Sequence, residues 1–120
     1  MRSLNHEKTL AEIGKIEHIF KETAKIRGAK LEFETSFGCI AYEINQEQKV
    51  VKRFERVCRE LGYETDYIAT FGGSDNNNFV RNGILGIVIA CGMNAVHSTK
   101  EYTHIDELEK CSNITLKLMT

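Results

Sequence analysis

The chain has 120 residues, of which 42% are hydrophobic, and this is enough for one ordinary domain with a core. Lysine and arginine (16) nearly balance aspartate and glutamate (17), which argues against a nucleic-acid partner or an anionic membrane surface. No apolar run approaches the ~20 residues of a transmembrane helix, and the polar residues after Met1 do not resemble a secretory signal, so we expect a cytoplasmic protein.

The first half of the chain predicts an α+β arrangement. Asn5 is a good N-cap, and apolar residues then recur at helical spacing, so we expect a helix over about 5–27 that ends at Gly28. Strict alternation of apolar and polar residues predicts strands over 30–35 and 40–44. Residues 1–45 form the first predicted domain.

The second predicted domain, residues 46–120, has a β-α-β-α order. Amphipathic spacing predicts a helix over 46–62, a β-prone run follows at 67–71, and Ser74 is expected to cap a short helix. The continuous apolar run 84–90 is typical of a parallel strand covered on both faces, and a capping box formed by Thr103 and Asp106 precedes the last helix. The expected fold class is therefore mixed α/β, with an α+β first half.

Four cysteines are widely spaced and form no C-x-x-C pair, so a zinc ribbon or thioredoxin motif is not expected. In a chain without a secretory signal they are expected to be reduced and mostly buried. Cys91 and His97 are conceivable as a nucleophile and its base, but a cysteine that ends a buried strand is the more common arrangement.

The Gly72-Gly73-Ser74-Asp75 stretch allows two interpretations. Two glycines after a strand let the backbone approach a ligand closely, and the free N–H groups at the following helix start suit a carboxylate or a phosphate, while Asp75 could bind a metal. The same residues also suit a tight turn in which Ser74 and Asp75 only cap the helix. Asn76, Asn77 and Asn78 could hold a peptide backbone or bond locally to their own backbone.

His97 lies in the loop after the apolar run 84–90. A neutral imidazole there suits zinc, and Glu101 could orient the ring through a hydrogen bond. A loop histidine bonded to a carbonyl group is the alternative.

Two stretches carry a resemblance to a known family. They are Gly72-Gly73-Ser74-Asp75, Asn77, Phe79 and Gly83-Ile84 in the first, and Cys91-Gly92-Met93, Val96-His97, Glu101-Tyr102 and Ile105 in the second. Together they resemble the closing segment of the peptidase T-like zinc tripeptidases, part of the set of cocatalytic zinc peptidases that includes carboxypeptidase G and aminoacylase. The earlier residues resemble the second half of that family's lid, or dimerisation, domain.

The resemblance implies a role for each stretch. His97 matches the family's last zinc ligand, and Gly73, Ser74, Asp75 and Asn77 match the loop on the substrate side of the active site. The implied cofactor is zinc, with two ions per site that polarise the scissile carbonyl of a short peptide while a nearby Glu acts as general base.

The family's other ligands come from an H-x-D motif, a Glu-Glu pair and a further Asp, all upstream of its lid domain, and we expect neither the H-x-D motif nor the Glu-Glu pair in this chain. One histidine cannot hold two zinc ions, because each ion needs about four ligands. We therefore expect the C-terminal portion of a zinc aminopeptidase, inactive without a missing N-terminal half and assembled as a homo-oligomer. The alternatives are a self-associating module without catalysis, and a small α/β domain with a ligand pocket of its own.

Overall fold

A computed structural model describes all residues, 1–120, and contains four α-helices. They are α1 (His6–Arg27), α2 (Lys49–Glu60), α3 (Asn76–Arg81) and α4 (Ile105–Met119). The chain divides into two compact units. Unit 1 comprises Met1–Glu43 and Ala69–Ile84, and unit 2 comprises Ile44–Ile68 and Leu85–Thr120.

Helix α1 begins and ends as its capping residues predict. The Asn5 side chain accepts a hydrogen bond from the Lys8 N–H at 2.9 Å, which satisfies one of the free donors of the first turn. Gly28 adopts the left-handed conformation, φ +61°, and the following N–H of Ala29 donates to the Ala24 carbonyl at 2.9 Å. The predicted helix over 5–27 is confirmed.

The chain after Gly28 returns along α1 within unit 1. Two ring contacts mark the path: His6 with Phe37, at 5.5 Å between centroids, and Phe20 with Phe33, at 6.2 Å. No side chain of α1 is buried by these contacts. The apolar face that the sequence gives this helix is therefore only partly covered.

The apolar core of unit 2 lies between α2 and α4. Its buried members are Val57, Cys58 and Ile114. The partly buried side chains packed around them are Phe54, Leu61, Tyr63, Ile89 and Leu118. Burial raises the pKa of the Cys58 thiol, so this cysteine is a neutral packing group.

The predicted fold class, mixed α/β with a β-α-β-α second half, is wrong, because the structure contains no sheet. The runs at 30–35, 40–44, 67–71 and 84–90 form no strand, and the backbone pairing consists of one isolated antiparallel bridge between Asn94 and Tyr102. The alternation of apolar and polar residues indicates which side chains favour burial. A strand also needs a neighbouring strand to pair with its N–H and C=O groups, and the alternation does not show whether one is present.

The run at 84–90 shows this most clearly. It was expected to be covered on both faces, yet Ile84, Leu85 and Val88 are 58%, 56% and 59% exposed. The predicted division into a partial lid domain, 1–45, and part of a catalytic domain, 46–120, stays a prediction.

The remaining helices lie close to their predicted positions but begin differently. His104 occupies the N-cap of α4 without a side-chain cap, and the Thr103 hydroxyl donates to the Cys91 carbonyl at 3.1 Å instead of forming a capping box. None of the helices combines the length and apolar character that a membrane span requires.

The stability of unit 2 should depend on the buried side chain of Ile114. Replacing Ile114 by Ala leaves a cavity between α2 and α4, and we expect a loss of about 2–4 kcal/mol in the free energy of unfolding. Leu116, on the same helix and 61% exposed, is the matched control, and Leu116→Ala should change stability by less than about 0.5 kcal/mol. Urea denaturation followed by circular dichroism measures both, and equal losses would contradict this packing.

Candidate functional site

The loop that precedes α3 in unit 1 is closed by two reciprocal hydrogen bonds. The Ser74 N–H donates to Oδ1 of Asn77 at 2.9 Å, and the Asn77 N–H donates to the Ser74 carbonyl at 3.1 Å. A side chain in the first turn of a helix that reaches back to the backbone N–H at its start is one half of a capping box. The sequence therefore closes this turn through Asn77, whereas we had expected the Ser74 side chain to cap it.

The same loop is fastened to residues 39–42, which also belong to unit 1. Nδ2 of Asn77 donates to the Ile40 carbonyl at 2.9 Å, and Nδ2 of Asn76 donates to the Tyr42 hydroxyl at 2.8 Å. Gly73 lies against Cys39, since a Cβ built at Gly73 would be 2.7 Å from the Cys39 sulfur. The glycine is thus explained by the close approach of a side chain of this chain.

The predicted substrate-side residues differ in what they offer. Asp75 is exposed, and its carboxylate makes no hydrogen bond within the chain; Ser74 is half-buried, with its hydroxyl likewise unbonded. Asn77 is 9% exposed and uses both ends of its amide on Ser74 and Ile40. From the sequence, no role was predicted for Ile40 or Tyr42, which accept hydrogen bonds from the loop asparagines. The run of three asparagines was the one feature of the sequence that could have indicated such partners.

The loop that carries His97 in unit 2 is closed by the bridge between Asn94 and Tyr102, whose two N–H···O distances are 2.9 and 3.2 Å. Within it, Ala95 (φ +49°) and His97 (φ +63°) adopt the left-handed conformation that side-chain-bearing residues rarely adopt. The His97 N–H donates to Oε2 of Glu101 at 2.9 Å. Glu101 thus holds the strained backbone of His97 and makes no hydrogen bond with its ring.

The imidazole of His97 is exposed and hydrogen-bonds no other group of the chain. The Cys91 thiol is half-buried and makes no hydrogen bond with it, so the structure gives no support to a nucleophile and base pair. All four cysteines are free thiols, but Cys58 is the one that is buried. The expectation that most of them are buried is wrong.

The histidine, cysteine and acidic side chains do not converge on a metal site. No three His, Cys, Asp or Glu side chains of residues 1–120 lie close enough to hold a metal ion. The sequence does contain one H-x-D triplet, His104-Ile105-Asp106, which sequence reasoning overlooked. It lies at the start of α4, where the His104 ring packs edge-on against Tyr102 and Asp106 pairs with Lys110.

The predicted site residues belong to both units. Gly73, Ser74, Asp75 and Asn77 lie in unit 1, and His97 lies in unit 2. The role that the resemblance implies for the two stretches, a zinc ligand and the substrate side of one active site, stays a prediction. An open depression beside the start of α1, lined among others by Arg2, Lys8 and Glu12, includes none of these residues.

Comparison with known proteins identifies one family. Residues 4–120 match the profile described as peptidase family M20/M25/M40. The chain is 26% identical over 118 residues to the uncharacterized protein YqjE of Bacillus subtilis (strain 168), in an alignment that covers 98% of this chain and 32% of YqjE. It thus spans about a third of the length of that curated relative. No solved structure matches the chain.

Gly92, which leads into the His97 loop, should tolerate no side chain. It has φ +71°, and an added Cβ would lie 2.5 Å from Cβ of Glu107, an atom fixed to the backbone of α4. We expect Gly92→Ala to lower the free energy of unfolding by about 2–4 kcal/mol, the sum of backbone strain and overpacking.

The matched control is Gly62→Ala in the same unit. Gly62 has φ +75° but open space around it, so only the strain of about 1–2 kcal/mol applies. Equal losses in the two variants, measured by urea denaturation, would show that Glu107 gives way and that this contact does not shape the loop.

Proposed function

We propose that this chain, which belongs to peptidase family M20/M25/M40, is the C-terminal part of a zinc-dependent aminopeptidase similar to peptidase T that removes N-terminal residues from short peptides. In this proposal His97 is one zinc ligand, and Gly73, Ser74 and Asp75 line the substrate side. The observation that carries it is the family match over residues 4–120. A cytoplasmic location, in keeping with four free thiols, is part of the proposal.

The geometry of His97 supports a role for its ring. Non-glycine residues at positive φ cost about 1–3 kcal/mol each, and such strain is concentrated at functional sites. Here two of them lie within three residues of each other, and Glu101 is used to hold the backbone of the histidine. The ring itself is exposed and unbonded, which leaves a nitrogen available to a metal.

The loop before α3 supports the substrate-side role. An exposed carboxylate at Asp75 and an unbonded hydroxyl at Ser74 are groups that can hydrogen-bond a short peptide. The Ser74 N–H is held by Asn77, which restricts the backbone that carries these groups.

The chain by itself does not contain a zinc site. Zinc needs about four ligands, and residues 1–120 offer no convergent group of three. The remaining ligands must therefore come from other polypeptide, in keeping with a chain that spans about a third of YqjE. Zinc, when bound, would supply a Lewis acid for the peptide carbonyl.

The test is peptide hydrolysis by the chain alone with zinc, and then by the chain combined with the missing N-terminal half, added as a separate polypeptide. We expect no hydrolysis of tripeptides by the chain alone and hydrolysis by the combination. His97→Ala should lower the peptidase activity of the combination by at least roughly a hundredfold, because a direct zinc ligand is lost. His18→Ala, which removes an exposed histidine of α1, is the control and should have no effect. An inactive combination, or equal activity of the two variants, would refute the proposal.

Self-association is the second candidate, and α1 favours it. On this helix, Ile19, Phe20 and Ile26 are 62%, 53% and 79% exposed. Large exposed apolar surface is uncommon on monomeric soluble proteins and often marks an interaction site. Such a surface suits a homo-oligomer, with or without catalysis.

Light scattering over a concentration series measures this association. We expect the mass to rise above that of the 13.7 kDa monomer at micromolar to millimolar concentrations, because the exposed face of α1 is buried between copies. Ile26→Lys should weaken the association, whereas Lys21→Glu, an exposed position about 140° around the helix from Ile26, should not. A constant monomer mass at all concentrations would exclude the module.

A further inference from the structure

We propose that Asn77 is a positioning residue, which holds the backbone of Ser74 in place before any substrate arrives and does not itself contact substrate. The identification of this loop as the substrate side rests on the proposed function. The positioning itself rests only on contacts within unit 1. The predicted role of Asn77 as a substrate-binding residue is thereby replaced with a different one.

The chemistry of the partners fixes the orientation of the Asn77 amide. The Ser74 backbone N–H can only donate, so it must face the amide oxygen, and the Ile40 carbonyl can only accept, so it must face the amide nitrogen. The two distances are both 2.9 Å. Each end of the amide makes one hydrogen bond, and because the side chain is only 9% exposed, its second N–H and second lone pair have little access to a bound peptide.

Burial gives these bonds their importance. Asn76 and Asn77 are the buried residues of unit 1, at 7% and 9% exposed, and no apolar side chain of that unit is buried. A buried polar group that loses its partner costs about 1–3 kcal/mol, so displacing the loop from residues 40–42 is unfavourable. Tertiary structure around this loop is therefore specified by amide hydrogen bonds.

The third asparagine of the run provides an internal comparison. Asn78 is exposed, and its side chain makes no hydrogen bond, whereas its backbone carbonyl accepts from the Asn82 side chain at 2.8 Å. Three identical side chains in sequence therefore have different fates, decided by which of them faces residues 40–42. Asn78 is a matched control for every substitution at Asn77.

The first measurement uses the unaltered chain without substrate. Scalar coupling across the hydrogen bonds should be detectable by NMR between the Ser74 nitrogen and Cγ of Asn77, and slow exchange should mark the Ser74 N–H. In Asn77→Ala we expect Ser74 exchange to accelerate roughly tenfold or more, since the acceptor is gone. In Asn78→Ala it should stay unchanged.

A pH profile of Asn77→Asp separates this role from simple packing. The introduced oxygen faces the Ile40 carbonyl, so its ionised form is repelled and its pKa is raised in the folded chain. The neutral form donates an O–H to Ile40, so stability is retained below the ordinary carboxyl pKa of about 4 and is lost as pH rises through the raised value. Asn78→Asp should show no such dependence.

The outcomes are distinct even where a variant does not fold, because the coupling is measured in the unaltered chain. No coupling, or Ser74 exchange unchanged in Asn77→Ala, overturns the positioning role. In the combined peptidase, Asn77→Ala should lower hydrolysis and Asn78→Ala should not. If no combination hydrolyses peptides, the proposed function is refuted while the exchange data still decide the role of Asn77.

Discussion

Tertiary structure in unit 1 depends on two amide side chains. Asn76 and Asn77 are its buried residues, and each spends a donor on residues 40–42. Hydrogen bonds are directional, so this arrangement specifies one conformation more narrowly than apolar contact of the same area would. Gly73 lies in the same loop, where an added Cβ would lie 2.7 Å from the Cys39 sulfur, so the Cys39 side chain would have to turn away.

Unit 2 is stabilised by apolar packing between two helices, and it carries a loop with a strained backbone. Val57, Cys58 and Ile114 join α2 to α4, and Gly92 and Thr103 join the loop of His97 to the start of α4. The left-handed backbone at His97 is unfavourable by itself and persists because the Asn94–Tyr102 bridge and Glu101 hold it. The bridge and Glu101 thus hold the loop backbone in the conformation that leaves the imidazole exposed.

The helices were predictable because their determinants are local. Asn5, Gly28 and the apolar spacing between them define α1 without reference to any other segment. The strands were not, since alternation at 30–44 and the apolar run at 84–90 describe side chains while a sheet requires a second backbone. The candidate residues were found through family motifs, but Ile40, which accepts from the Asn77 amide nitrogen, lies outside both motif stretches. Glu101 was expected to orient the His97 ring, and it accepts from the His97 backbone N–H instead.

The amino-acid sequence by itself determined the helical segments, the family and the residue types at the candidate site, because helix caps and motifs are properties of neighbouring residues. Only the tertiary structure decided that the apolar runs remain unpaired and that Asn77 faces inward while Asn78 faces water. It also decided that Glu101 bonds the backbone of His97. The physical reason is that hydrogen-bond partners are chosen by proximity in space, and the periodicity of a sequence does not record which segments meet.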